Sequence, residues 1–232
     1  MSLADSPRAR LPLFDAPRAY LEQLASTAPG DLAGRHRRAA DTLADWIAAR
    51  LTADQPAQIV VVCTGNSRRS ILAATLGQLA AEAAGLTQVH FFSGGTEPSA
   101  FNPRTIATLQ AIGLQIEPTA AAAPPGPAGQ PNPIYRIRRG EALETLEFSK
   151  RYDDPANPRA DFAAVMVCDE ANAACPFVPG ATLRLPMPFD DPKDHDGTPE
   201  EAQAYAARRD EIARVMIAVF EQVLRHLPIM RR

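Results

Sequence analysis

The stretch Gln58-Ile-Val-Val-Val-Cys63-Thr-Gly-Asn-Ser-Arg-Arg69-Ser70 decides how this 232-residue chain folds. Four consecutive apolar residues after Gln58 form a short β run with no polar alternation, the pattern of a strand buried on both faces. It ends at Cys63, a small polar loop follows, and an Ala/Leu-rich helical pattern then runs over about 70–84. Strand, tight loop and helix in that order place the loop at the C-terminal edge of a parallel sheet, where such folds collect ligands. Gly65 lets the backbone curl, and such a curl turns successive N–H groups inward as an anion nest at the positive end of the helix dipole. Arg69 stands six residues after the cysteine and can close the ring with a forked guanidinium. These groups favour a thiolate at Cys63, so its pKa is expected well below the free-cysteine value of about 8.5. Ser70 can donate a hydrogen bond to the sulfur. The expected chemistry is attack by this thiolate on phosphorus or arsenic held in the nest.

Working outward, a β run at Val89-His-Phe-Phe92 ends in Ser93-Gly-Gly-Thr96, and Asn102-Pro103 opens a helix that Gly113 stops. Phe162–Val167 reads as another buried strand ending at Cys168. A shorter strand around Leu183–Leu185 leads into Met187-Pro-Phe-Asp-Asp-Pro192. Thr198, Pro199 and Glu201 spell a capping box for a last helix, with Ile212, Val215, Val219 and Leu224 facing the sheet. Strands alternating with helices predict an α/β fold, a doubly wound four-stranded parallel sheet with flanking helices. Residues 1–55 read as an N-terminal tail to about residue 17 and a helical extension, with helices near 17–28 and 33–51. The α/β domain occupies 56–232 and is interrupted at about 118–160, where seven prolines fall between Pro118 and Pro155. That segment is expected to be an insertion, extended and partly disordered. Its Tyr135, Arg136, Arg138 and Arg139 read as a solvated charged face.

Bulk properties exclude several classes. Hydrophobic residues at 46% and charged residues at 22% are ordinary for a globular domain, and a net charge of −3 disfavours sequence-independent nucleic-acid binding. No apolar run approaches the ~20 residues that span a bilayer, so no membrane association is expected. The N-terminus lacks the apolar core of a secretory signal, which points to the cytoplasm. In that compartment three cysteines are reactive or simply buried rather than joined in a structural disulfide. The four histidines show no metal-ligand spacing, so no metal is expected.

The Cys-X5-Arg-Ser motif with Gly65-Asn66 inside it resembles that of the low-molecular-weight protein tyrosine phosphatases and their relatives, the thioredoxin-coupled arsenate reductases. Ser93-Gly-Gly-Thr96 with Asn102-Pro103 is similar to the family's second strand and the loop after it, and Phe189-Asp-Asp-Pro192 to its general-acid loop. The likeness covers about 57–117 and 161–226. It implies oxyanion binding by Thr64, Gly65, Asn66, Ser67, Arg68 and Arg69, and general-acid catalysis by Asp191 rather than by Asp154 of the second Asp-Asp-Pro, which is expected to start a turn. Arg68 departs from many relatives, which carry a smaller residue or a cysteine there. Cys168 and Cys175 match the redox segment of the arsenate reductases. The resemblance then implies a relay in which Cys63 and Cys168 reduce arsenate and a Cys168–Cys175 disulfide passes to thioredoxin as external reductant, with no bound cofactor. The alternative is a phosphatase acting on phosphotyrosine or another phosphomonoester through phospho-Cys63, for which Cys168 is a core residue and Cys175 incidental. A catalytically idle oxyanion-binding module is the reading furthest from the intact Cys63, Arg69 and Asp191 set.

Overall fold

The computed structural model describes residues 11–27, 32, 34–127 and 129–227. In chain order they form α1 (Asp15–Ser26), α2 (Gly34–Thr52), β1 (Ala57–Cys63), α3 (Arg69–Ala83), β2 (Val89–Gly95) and α4 (Pro103–Gln110). Then come β3 (Gln115–Ala123), β4 (Asn132–Gly140), β5 (Leu143–Glu147), β6 (Phe162–Met166), α5 (Asp169–Ala174), β7 (Ala181–Pro186), a 3-10 turn (Pro192–His195) and α6 (Glu201–His226).

The expected parallel sheet is present, in the order β2-β1-β6-β7 with every pairing parallel. β1 lies between β2 and β6, and Ile59, Val60, Val61 and Val62 have no solvent exposure. Each such side chain contributes about 1.5–3 kcal/mol relative to exposure, which is why the run tolerates no polar alternation. α3 packs on β1, β2 and α6, while α6 also packs against α2, α4 and α1. The four α6 positions expected to face the sheet are all buried. The N-terminal helices thus close the same layer as α6 and belong to the core cluster through Leu21, Leu43 and Ile47.

Several local expectations change. The Pro-rich segment is largely ordered: β3, β4 and β5 make a three-stranded antiparallel sheet. Its prolines are accommodated because β3 is an edge strand, with a register shift between Pro118 and Ala122, and because Pro124, Pro125 and Pro127 occupy the connection to β4. Arg139 does not belong to a solvated face. It is 1% exposed and forks onto both oxygens of Glu82 in α3, at 2.8 and 2.9 Å. Arg136 and Arg138 stay at the surface in ion pairs with Glu144 and Glu141. The expected tail lies outside the described residues up to residue 10; from Leu11 it is structured, with Leu13 bridging to Gly140 before α1 begins at Asp15. The capping box does not form: α6 begins after Glu200, the Thr198 hydroxyl bonds to the His195 carbonyl, and Glu201 accepts from the Gly197 N–H. Asp154 does start a turn, accepting from the Ala156 N–H.

Candidate active site

The loop from Cys63 to Ser70 is shaped by where its carbonyls go. Those of Cys63, Thr64, Gly65 and Ser67 accept from the N–H groups of Thr96, Glu97, Ser99 and Asn102 on the β2–α4 connection, at 2.8–3.2 Å. Ser99 and Ser149 hydroxyls add bonds to the Gly65 carbonyl. Tying carbonyls outward leaves the peptide N–H groups of the loop to face the pocket, the arrangement an anion nest needs. Gly95 makes the approach possible, because a Cβ there would lie 2.5 Å from the Thr64 carbonyl oxygen and 2.9 Å from the Asn66 nitrogen. The left-handed residue of the loop is Asn66, with φ 41°, and not Gly65. An asparagine holds that conformation here through its side chain, which donates to Ser70 Oγ (2.9 Å) and Ser93 Oγ (2.7 Å) and accepts from the Lys150 N–H (2.8 Å).

A cavity of about 240 Å³ opens above the loop, lined by Cys63, Thr64, Gly65, Ser67, Arg68, Arg69, Ser99, Asp191 and Lys193. Cys63 Sγ lies 3.1 Å from Ser70 Oγ. Because Asn66 already donates to Ser70, the hydroxyl proton is free to point at the sulfur, as a thiolate requires. Arg69 reaches Phe189 O with Nη1 (3.1 Å) and Asp191 Oδ2 with Nη2 (2.7 Å), while its buried Nε has no partner among the described residues and is available to an oxyanion. Asp191 uses its other oxygen to accept from the Lys193 N–H.

Two residues of the loop also bond away from the cavity. Asn66 is fully buried and its side chain braces the loop from behind, bonded to Ser70, Ser93 and the Lys150 N–H. Arg68 is held on the pocket rim by Tyr205 Oη (2.6 Å) and Asp196 Oδ2 (2.7 Å), which joins the nucleophile loop to the end of the Asp191 loop. Burial pushes the Tyr205 phenol up to about 12. Burial also works to raise the Asp196 carboxyl, but the bonds from Tyr205 and Arg68 outweigh it and hold the group below the usual carboxylate range.

Cys168 and Cys175 flank α5. Cys168 is fully buried at the end of β6, its sulfur capping α5 by accepting from the Ala171 N–H and lying 3.6 Å from the Thr64 hydroxyl of the nucleophile loop. Burial pushes its thiol above the ordinary value, and Cys63 adds to this; the Thr64 hydroxyl, the Ala171 N–H and Arg69 pull the other way. Cys175 sits half-buried at the other end of the helix, and all three cysteines are free thiols. Burial, Cys175 and Asp153 together raise the phenol of Tyr152, which lies against Cys175. Phe177, two residues beyond Cys175, is 74% exposed.

Sequence reasoning missed the groups that hold the loop from behind. Ser93 belonged to a stretch marked as near the site, but Glu147, Ser149 and Lys150 lie in the segment read as an insertion and carry no local motif. Their role is visible once β5 is seen to end beside β2.

With this geometry in view, the comparisons with known proteins fall into place. Residues 58–125 match the family model described as low molecular weight phosphotyrosine protein phosphatase. Over that stretch the chain resembles the low-molecular-weight phosphatases. Among its curated relatives, an arsenate reductase of Halalkalibacterium halodurans is 28% identical over 157 residues, covering 67% of this chain and 89% of that protein. An arsenate reductase of Shouchella clausii is 28% identical over 155 residues, covering 66% and 88%. The solved structure of a YwlE mutant from Bacillus subtilis covers 72% of this chain and 99% of its own, at 17% identity and a TM-score of 0.46. In this chain Cys168, just past the end of the β6 strand that pairs with β1, lies beside the nucleophile loop.

Proposed function

We propose that the protein reduces arsenate to arsenite through Cys63, Cys168 and Cys175. The observation that carries this reading is the Cys168 sulfur 3.6 Å from the Thr64 hydroxyl, a second thiol against the oxyanion loop that a hydrolase has no use for. The arsenate reductases among its relatives point the same way. Arsenate binds in the nest against Arg69, and the Cys63 thiolate attacks arsenic with loss of one oxygen as water. The Cys168 thiolate then attacks Cys63 Sγ. The S–As bond breaks with its electron pair on arsenic, so arsenic(V) leaves as arsenite and a Cys63–Cys168 disulfide remains. Cys175 attacks Cys168, frees Cys63 as a thiolate, and leaves a Cys168–Cys175 disulfide on α5 for thioredoxin to reduce. The protein itself then needs no bound cofactor, and three free thiols suit the cytoplasm. Closing that last disulfide across six helical residues requires α5 to unwind.

Hydrolysis of a phosphomonoester, such as phosphotyrosine, through phospho-Cys63 is the second reading, and Asp191 on the pocket wall favours it. In the resting arrangement both Asp191 oxygens accept hydrogen bonds, one from Arg69 and one from Lys193. To protonate a leaving group, Asp191 must release one of them. Purified wild type and the Cys63→Ser, Cys168→Ser and Cys175→Ser variants decide the matter. Each is assayed with arsenate plus thioredoxin and with p-nitrophenyl phosphate. Arsenate turnover in wild type that each of the three substitutions abolishes is expected. Strong phosphatase activity sensitive to Cys63→Ser alone, with no arsenate turnover, selects the hydrolase.

A further inference from the structure

Behind the nucleophile loop a chain of hydrogen bonds runs from Cys63 into the three-stranded sheet. Ser70 Oγ lies 3.1 Å from Cys63 Sγ, Asn66 Nδ2 donates to both Ser70 and Ser93, and Ser93 Oγ donates to Glu147 Oε1 at 2.9 Å. The same carboxylate oxygen accepts from Lys150 Nζ at 2.6 Å and from the Phe148 N–H at 3.0 Å, and Lys150 Nζ also approaches Ser93 Oγ at 3.5 Å. Every member is buried: Asn66, Ser70 and Ser93 at 0%, Lys150 at 6% and Glu147 at 7% exposure.

The chain has a direction. The Lys150 N–H holds Asn66 Oδ1, so the Asn66 amide presents its two N–H groups to the two serines. Each serine oxygen therefore accepts from Asn66 and must send its own proton elsewhere. At one end that destination is Glu147; at the other it is the Cys63 sulfur. A buried hydroxyl without an acceptor is costly, so the carboxylate that takes the Ser93 proton is what lets Ser93 accept from Asn66 without conflict. We propose that Glu147, supported by Lys150, is a positioning residue for Cys63: by taking the Ser93 proton it holds Ser93 as an acceptor for Asn66 and, together with the Lys150 N–H on Asn66 Oδ1, fixes the Ser93–Asn66–Ser70 chain that keeps the Ser70 hydroxyl donating to the nucleophile. The segment at 118–160 is then a working part of the active site. The inference rests on Cys63 being the thiolate nucleophile, and it holds equally for arsenate reduction or ester hydrolysis.

The test reads the nucleophile directly, by the rate of Cys63 alkylation with iodoacetamide against pH in a Cys168→Ser/Cys175→Ser background. Replacing the pair together, Glu147→Leu/Lys150→Met, avoids leaving one charge buried alone. The pH midpoint of alkylation is expected to rise by about one unit, the worth of one hydrogen bond to a charged group. Glu147→Gln keeps an acceptor for Ser93 and is expected to leave the midpoint near that of the background protein. Ser93→Ala alone raises the midpoint, and adding the pair replacement to it shifts nothing more. Arg69, Asp191 and the rest of the pocket are unaltered in every variant, so their fields on Cys63 cancel in the comparison. An unchanged midpoint in a folded pair variant overturns the inference, as does a pair effect that survives in full beside Ser93→Ala. Should the pair variant fail to fold, an unshifted midpoint in Ser93→Ala overturns it as well. Absence of pH-dependent alkylation in the background protein would instead sink the reading of Cys63 as a nucleophile, so the two failures are distinct.

Discussion

Two junctions of the same kind, a buried strand running into a loop and a helix, carry the three cysteines, and they are built in opposite ways. After β1, the loop from Cys63 to Ser70 has its carbonyls tied to the β2–α4 connection, its asparagine braced by three partners, and a fifteen-residue helix locked behind it. After β6, Cys168 leads into a six-residue helix capped by a thiol and followed by a half-buried cysteine. Six residues lie below the length at which a helix holds itself, so α5 depends on its few packing contacts. The first junction is fixed so that an oxyanion meets a preformed nest. The second is marginal, which the proposed disulfide between its two ends would require.

The contrast can be broken from the rigid side with the largest effect. Arg139→Met leaves Glu82 buried without its partner and is expected to cost about 3–5 kcal/mol in urea unfolding, whereas Arg139→Met with Glu82→Met recovers most of it. Asn66→Ala removes the side chain that holds a left-handed residue and orphans the buried Lys150 N–H. A loss of about 2–3 kcal/mol, with turnover falling together with stability, is expected in the same assay. Asp196→Asn loosens the tie between Arg68 and the end of the Asp191 loop by about 1 kcal/mol. Since the folded Asp196 carboxyl is held low, its contribution is complete above the ordinary carboxylate range and fades as pH falls through and below that range. Wild type is therefore expected to lose more stability than Asp196→Asn on acidification below about pH 4, as read by thermal melts across pH. From the α5 side the effect is smallest and of opposite use. Ala173→Gly, exposed on α5, costs about 1 kcal/mol of helix and is expected to speed Cys168–Cys175 disulfide formation about fivefold in stopped-flow oxidation, with little change in global stability. If this variant closes the disulfide no faster, helix opening does not limit the exchange.

Much of this was legible in the chain itself, for a local reason. Val60, Val61 and Val62 announce a strand buried on both faces, and Cys63 to Ser70 announce an anion loop, because each signal is contained within a few consecutive residues. What stayed hidden depends on contacts between distant positions. Arg139 reads as one of several surface arginines until Glu82, 57 residues away, is found against it. Glu147 and Lys150 look like ordinary exposed charges, and the proline-rich composition around 118–160 masks the strands that carry them inward. Thr198 spells a helix start that the structure does not use, since its hydroxyl is taken by the His195 carbonyl. The presence of Asn66 in the motif was plain, but its left-handed φ and rearward amide are features of the folded loop.

The ion pair between Glu82 and Arg139 limits how far this protein can be trimmed. A shortened version lacking residues 118–160 would look, on paper, like a return to a smaller and simpler enzyme. It would instead strand the Glu82 carboxylate near the C-terminal end of α3, remove the Ser149 bond to the Gly65 carbonyl and the Lys150 N–H bond to Asn66 Oδ1, and uncover the flank of β2. Anyone seeking a minimal catalyst from this scaffold has to redesign α3 and β2 along with the deletion, because the three-stranded sheet and the parallel-sheet core are joined by these contacts.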